Sequence, residues 1–212
     1  MGLKEQKRVL HLSMAFKLAA LGFSYPTPVL QELVRTRALL EIFTMAIQDR
    51  DPAVAEMARE WATATRIWER PLDEIQALYT AIFDVGYPEP PCPPYAGIYL
   101  PGGLAFPGPR PQLLAELMDR YRRWGLDLTH ELPDHIGVEL EFMHFLLTRW
   151  LEGLDRDDRT LVCDVRQEGD WFVAHLQEWL PAFRARLARG QDTAFWVFLV
   201  DMVQLLITRK LL

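Results

Sequence analysis

Residues 86–109, GYPEPPCPPYAGIYLPGGLAFPGP, hold eight of the fifteen prolines and five of the twelve glycines. No helix is expected to survive that density, because each proline removes a donor and clashes with the preceding turn. A plain linker has no use for Tyr87, Tyr95, Ile98, Tyr99, Leu100 and Phe106. The segment therefore reads as a stiff, aromatic-bearing loop packed on its own domain.

On either side of the loop nearly every stretch has helical period, and few alternate as strands do. A first helix is expected over residues 3–22. A second follows Tyr25-Pro26-Thr27-Pro28, with Leu30, Leu33, Val34 and Ile42 on its apolar stripe. Asp51 then caps a helix opened by Pro52 and running to Trp68, and Pro71 opens one to Val85. Further helices are expected at 111–124, 132–152, 156–166, 169–189 and 192–210, with Gly125, Gly153 and Gly190 as their C-terminal caps. The expected architecture is all-α: a single-domain bundle of about nine helices over residues 1–212, with the loop between two unequal halves.

Charge and cysteine content narrow the function classes. With 29 acidic against 23 basic residues the formal charge is −6, which argues against a nucleic-acid binder and suits a cationic partner. Cys92 and Cys163 lack CxxC spacing and read as reduced thiols, not as a disulfide framework or zinc knuckle. Glu5, His11 and Lys17 interrupt the apolar N-terminal stretch, so it does not read as an export signal. Gln6 stands where a myristoylation signal prefers Ser or Thr. The run AFWVFLVDMVQLLI at 194–207 is too short to span a bilayer and carries Asp201 and Gln204. A cytoplasmic protein with no stable membrane insertion is expected.

The chemistry-bearing residues concentrate in HELPDHIGVELEFM, residues 130–143. Placing Pro133 at the first helical position puts Asp134 and His135 in the first turn, where the helix dipole favours Asp134. Glu131, Asp134, His135 and Glu139 then form one polar patch at a helix mouth, with Glu139 and Glu141 projecting away from the apolar stripe. A metal site is disfavoured. His135 and His144 fall on opposite faces of one helix, and Glu141-Phe-Met-His144 is a single Glu-x-x-His element without the second that a di-iron bundle needs. Ser13 and Ser24 are the only serines and no GxSxG elbow is present, so no catalytic residue is assigned. Gly102-Gly103 and Gly108 lack the GK[ST] of a P-loop, Arg110 is compatible with a phosphate contact, and DRDDR at 155–159 reads as a solvated loop and helix start. What survives is a binding surface in which carboxylates beside apolar groups suit a peptide bearing arginine next to an apolar run.

These residues carry a family resemblance. Glu131-Leu-Pro-Asp134-His135-Ile, with Glu139-Leu-Glu-Phe-Met143, resembles the E-x-P-D-H signature of the TorD/DmsD/NarJ family of cytoplasmic chaperones for molybdopterin enzymes of the dimethyl sulfoxide reductase class. Pro94-Tyr95-Ala-Gly-Ile-Tyr99-Leu100 is similar to the family's tyrosine-containing loop, with Ala-Gly where Ser is common. Phe172-Val-Ala-His175-Leu-Gln-Glu-Trp179-Leu-Pro-Ala-Phe183 is similar to its H-L-x-x-W-L-P-x-F segment. The resemblance implies an all-helical fold without enzymatic activity. It also implies a partner: the apo catalytic subunit, often held by its twin-arginine signal peptide until molybdenum cofactor is inserted. Carried over by position, Asp134 and His135 lead partner recognition, Glu131 and Glu139 support them, and Tyr95 and Tyr99 belong to the facing loop. Trp68 and Tyr87 extend that surface on composition alone. No metal or tightly held cofactor is expected, and weak guanine-nucleotide binding is what some members show. A nucleotide-dependent maturation factor or small helical enzyme using the Asp134/His135 patch is the alternative. Monomer and homodimer both fit.

Overall fold

The computed structural model describes residues 3–47, 52–101, 110–128 and 131–208. It comprises helices α1 (Leu3–Gly22), α2 (Pro28–Arg35), α3 (Ala38–Ile47), α4 (Pro52–Ala64), α5 (Leu72–Phe83), α6 (Ala96–Tyr99), α7 (Pro111–Arg123), α8 (Ile136–Asp155), α9 (Arg159–Leu187) and α10 (Ala194–Ile207), with a 3-10 turn at Arg66–Glu69. Among the described residues there is no strand, only an isolated antiparallel bridge between Tyr95 and His135. The all-α bundle expected from periodicity is the observed architecture.

Several starts follow directly from local chemistry. Thr27 accepts the Leu30 amide at 3.3 Å ahead of Pro28, and Asp158 accepts the Leu161 amide at 3.0 Å to open α9. Each satisfies a donor that the first helical turn leaves unpaired. Gly125 takes φ 73 just after α7, the left-handed position that favours glycine. The proposed Asp51 cap, the glycines at 102, 103 and 108, and the end of the 192–210 helix beyond residue 208 lie outside the described residues.

Other boundaries differ from expectation, each for a physical reason. The second helix breaks into α2 and α3 because Arg37 adopts φ 63, a conformation that no helix contains. Where two helices were expected over 156–166 and 169–189, Arg159–Leu187 form one 29-residue helix, running through Gly169 and Pro181. Packing against α8, α10 and α6 along its length outweighs the cost of roughly 1 kcal/mol for an interior glycine. Gly153 lies inside α8 and does not cap it. The proline-dense loop does hold one helical turn, α6, placed in the proline-free Ala96–Tyr99 stretch.

Packing joins the two sides of the loop into one core. α1 lies against both α3 and α8, and α10 returns from the C-terminal side to cover α4 and α9. The Trp196 indole donates to the Gly22 carbonyl at 3.1 Å, while Trp68 meets Phe195 edge-on with ring centroids 4.8 Å apart. α10 is buried along most of its length, and among the described residues no helix is long and apolar enough to cross a membrane. Cys92 is a buried free thiol and Cys163 an exposed one.

Candidate functional site

The proline-dense loop has many carbonyls and few amide donors, so its acceptors must be met from elsewhere. At one point the 134–136 segment meets them. The Ile136 amide donates to the Pro94 carbonyl and the Ala96 amide to the Asp134 carbonyl, both at 2.9 Å. This bridge joins the tyrosine loop to the Asp-His pair. It also moves the start of α8: His135 is the N-cap, its Nδ1 accepting the Gly137 amide at 3.0 Å. Pro133 is therefore not the first helical residue, and Asp134 lies outside the first turn, so the dipole argument for it is corrected.

Asp134 turns its carboxylate under the bridge. Oδ2 accepts the Gly97 amide at 3.0 Å, and a Cβ at residue 97 would come within 3.0 Å of that oxygen. Glycine is what lets backbone and carboxylate approach so closely. Oδ1 is buried and has no hydrogen-bond partner among the described residues. Burial raises the Asp134 carboxyl above its ordinary value, with the Gly97 amide opposing. An unpaired carboxylate oxygen at 2 % exposure is costly unless a cation arrives to meet it.

Asp134 also lines a groove of about 450 Å³. Pro88, Glu89, Pro90 and Pro93 form one wall, Phe83 and Asp84 another, and Tyr95, Gly97, Ile98, Leu132 and Asp134 the remainder. No basic side chain lines the groove among the described residues. Burial raises Asp84 and, together with the charge of Asp84, raises the exposed Glu131. The half-buried Tyr95 phenol is pushed up to about 12 by burial and by Glu131, Asp134 and Asp84. The site is a concentration of negative potential between stiff apolar walls, suited to a cation carried on an extended apolar segment.

Other expected contact residues sit elsewhere. Glu139 is completely buried, which corrects its place in an exposed patch: α8 packs on both α1 and α9, so its buried face is wider than one stripe. Its Oε1 lies 2.8 Å from His175 Nε2, and its Oε2 accepts the Trp179 indole at 3.1 Å. Burial alone would lower His175, but the Glu139 carboxylate, with Glu178 and Asp134 adding to it, leaves it raised. Tyr99 is buried, stacked on Trp179 with centroids 6.0 Å apart, and Trp68 is buried too; neither forms an exposed surface. Glu131 and Tyr87 are exposed. Arg110 donates to the Leu100 and Pro101 carbonyls at 2.9 and 2.8 Å.

Among the described residues, no group of three or more His, Cys, Asp or Glu side chains is gathered for a metal ion. Glu141 pairs with Lys17, and His144 Nδ1 lies 2.8 Å from Ser13 Oγ. Sequence reasoning did not assign Asp84, Gly97 or Leu132 to the site, nor His175 and Trp179 to its support. The last two carried a signal: two N–H-bearing side chains four apart on an otherwise apolar helix face require an acceptor.

His135 is buried and neutral, its pKa lowered to about 4 by burial, and its ring meets Tyr95 edge-on at 5.3 Å. In the unfolded chain it takes up a proton near the ordinary value of about 6.5. As pH falls from about 6.5 to about 4, the unfolded state gains protons that the folded state refuses, so stability declines. The contribution reaches about 3 kcal/mol at the lower end. His135→Asn, which keeps a capping side chain, is expected to remove this decline. Denaturant melts of both proteins between pH 7 and 4.5 check it; parallel pH curves would refute it.

The family model described as nitrate reductase delta subunit matches residues 47–185. A perchlorate reductase assembly chaperone protein of Dechloromonas aromatica is 27% identical over 195 residues, covering 91% of this chain and 84% of its own. A chlorate reductase assembly chaperone protein of Ideonella dechloratans is 36% identical over 40% of this chain and 45% of its own. A selenate reductase assembly chaperone protein of Thauera selenatis is 32% identical over 58% of this chain and 62% of its own.

Proposed function

Because this chain belongs to the nitrate reductase delta subunit family, we propose that it is an assembly chaperone that holds the catalytic subunit of a molybdopterin oxidoreductase before its cofactor is inserted. The names of its relatives, assembly chaperones for perchlorate, chlorate and selenate reductases, support an oxyanion reductase as the client. It acts by binding, without chemistry of its own.

The observation that carries this reading is the proline-walled acidic groove lined by Asp134, whose buried Oδ1 has no partner among the described residues. A client guanidinium entering there forms a charge-assisted hydrogen bond in a site shielded from water. Exposed Leu132, Val85 and Tyr87 beside the groove offer apolar surface to the residues that flank the cation. Arginine beside an apolar run is the composition of a twin-arginine signal peptide, which we assign as the client segment. Binding of that segment before export places the chaperone in the cytoplasm.

Affinity capture of the full chain from its native cells, followed by mass spectrometry and molybdenum analysis of the partner, tests the reading. The expected partner is a reductase catalytic subunit lacking molybdenum. Capture of cofactor-loaded enzyme alone, or of no molybdoenzyme, would overturn it.

A further inference from the structure

The groove's proline wall cannot hold itself. Residues 88, 90, 91, 93 and 94 are prolines, so the segment offers a row of carbonyls with almost no donors of its own. One amide, Cys92, reaches back to the Ile82 carbonyl at 2.9 Å. The Ile136 amide holds the Pro94 end, and the Glu89–Pro91 stretch is held from the far end of α9. Arg186 donates through Nε to the Pro91 carbonyl, and through Nη2 to the Pro90 carbonyl at 3.2 Å and to Glu89 Oε1 at 2.8 Å. A planar guanidinium with five donors suits three acceptors fanned around it, whereas an ammonium offers a single point.

We propose that Arg186 is a positioning residue for client recognition, setting the width of the acidic groove by fastening its Glu89-Pro90 wall, with the adjoining Pro91 carbonyl, without touching the client. This rests on the groove being the client site. It also assigns Glu89 a different role from the other groove carboxylates. Glu89 is committed to Arg186, which leaves Asp84 and Asp134 in the groove to meet the client's charge.

Cys92, buried directly behind the wall, provides a readout independent of any client. In a Cys163→Ser background, which removes the exposed thiol, Arg186→Met is expected to speed thiol labelling of Cys92 at least tenfold while helical content is retained. The same substitution is expected to weaken binding of a synthetic peptide, with two consecutive arginines ahead of an apolar run, about tenfold. The slope of affinity against salt should not fall, because Asp84 and Asp134 are intact and Glu89 is freed of its partner. Arg186→Lys should recover part of both effects. Gly86→Ala strikes the same wall from its other end, since a Cβ there would come within 2.3 Å of the Glu89 carbonyl oxygen, and should reproduce both effects with Arg186 in place.

Unchanged Cys92 labelling in both variants would overturn the fastening. Faster labelling with unchanged peptide affinity would overturn the positioning role and leave the groove as the client site. Failure of the unsubstituted chain to bind the peptide, with faster labelling in the variants, would overturn the recognition reading and the client role of Arg186 together.

Discussion

Glu139→Leu is expected to remove about 3–5 kcal/mol of folding stability, the cost of breaking a buried pair by deleting one partner. The substitution leaves the His175 ring and the Trp179 indole N–H with nothing to bond in the core, where Trp179 is fully buried. In a chain of this size the melting temperature should fall by about 10 °C or more. Glu139→Gln should cost far less. Its amide oxygen accepts the Trp179 indole, and its NH2 donates to a His175 that has become neutral with the proton on Nδ1. His175 should then titrate lower than in the parent protein, because the carboxylate that raised it has gone. Thermal melts and imidazole NMR titrations of both variants measure these effects. A Glu139→Leu protein with an unchanged melting temperature and weakened client affinity would sink this assignment and return Glu139 to the binding surface.

The second large effect lies in binding, and its sign on stability is opposite. Asp134→Asn keeps the shape and lets the amide oxygen accept the Gly97 amide, but it puts an NH2 where the buried, unpaired carboxylate oxygen stood. Loss of a charge-assisted contact to a client arginine corresponds to about 1.5–3 kcal/mol, roughly a tenfold to hundredfold weaker affinity. Raised salt should weaken the parent's binding more than the variant's. The folded-state pKa of Asp134 is raised by burial, so its contribution to stability is present below the unfolded value and lost as pH rises through the folded one. At neutral pH the buried charge therefore costs stability, and Asp134→Asn should melt higher than the parent, with the gain vanishing in acid. Calorimetric titration with the twin-arginine peptide beside melts at pH 7 and pH 4 checks both halves. Equal affinities would remove Asp134 from recognition, and a lower melting point at neutral pH would show the carboxylate to be structural.

The helical character of the chain was legible because most elements carry their own signals. α1 matches its expected span at both ends, the Thr27-Pro28 start is as read, and Asp158 opens α9 from within DRDDR. Boundaries were lost where the backbone conformation is imposed from outside the segment. Nothing in the period of residues 28–47 signals the positive φ of Arg37. The break expected at 167–168 disappears once α8 and α10 are packed against the helix that spans it. The candidate site shows the same division. Tyr95, Asp134 and His135 were found from a motif, and the structure brings them together through the 95–135 bridge. Their burial was not legible, because it depends on a pairing across about forty residues that no local pattern encodes. Pro133-Asp134-His135 has the form of a helix start, and only the demand of the Pro94 carbonyl for a donor displaces that start to Ile136. Glu139 was misjudged for a related reason: its partners lie on α9, and one helix's apolar stripe says nothing about what its neighbours supply.

The groove has no local precursor in the chain. One edge comes from the end of α5, the proline wall follows it, the Asp134 segment arrives about forty residues later, and the fastening guanidinium comes from the far end of α9. Contacts of such long sequence separation form only after the loops between them have closed. A chain whose residues 159–187 are still unsynthesised or undocked lacks the Arg186 fastening and the partners of Glu139, and it presents no shaped acidic site. On the proposed reading, immature copies are expected to hold no client, and client binding should disappear together with the native thermal transition, not after it.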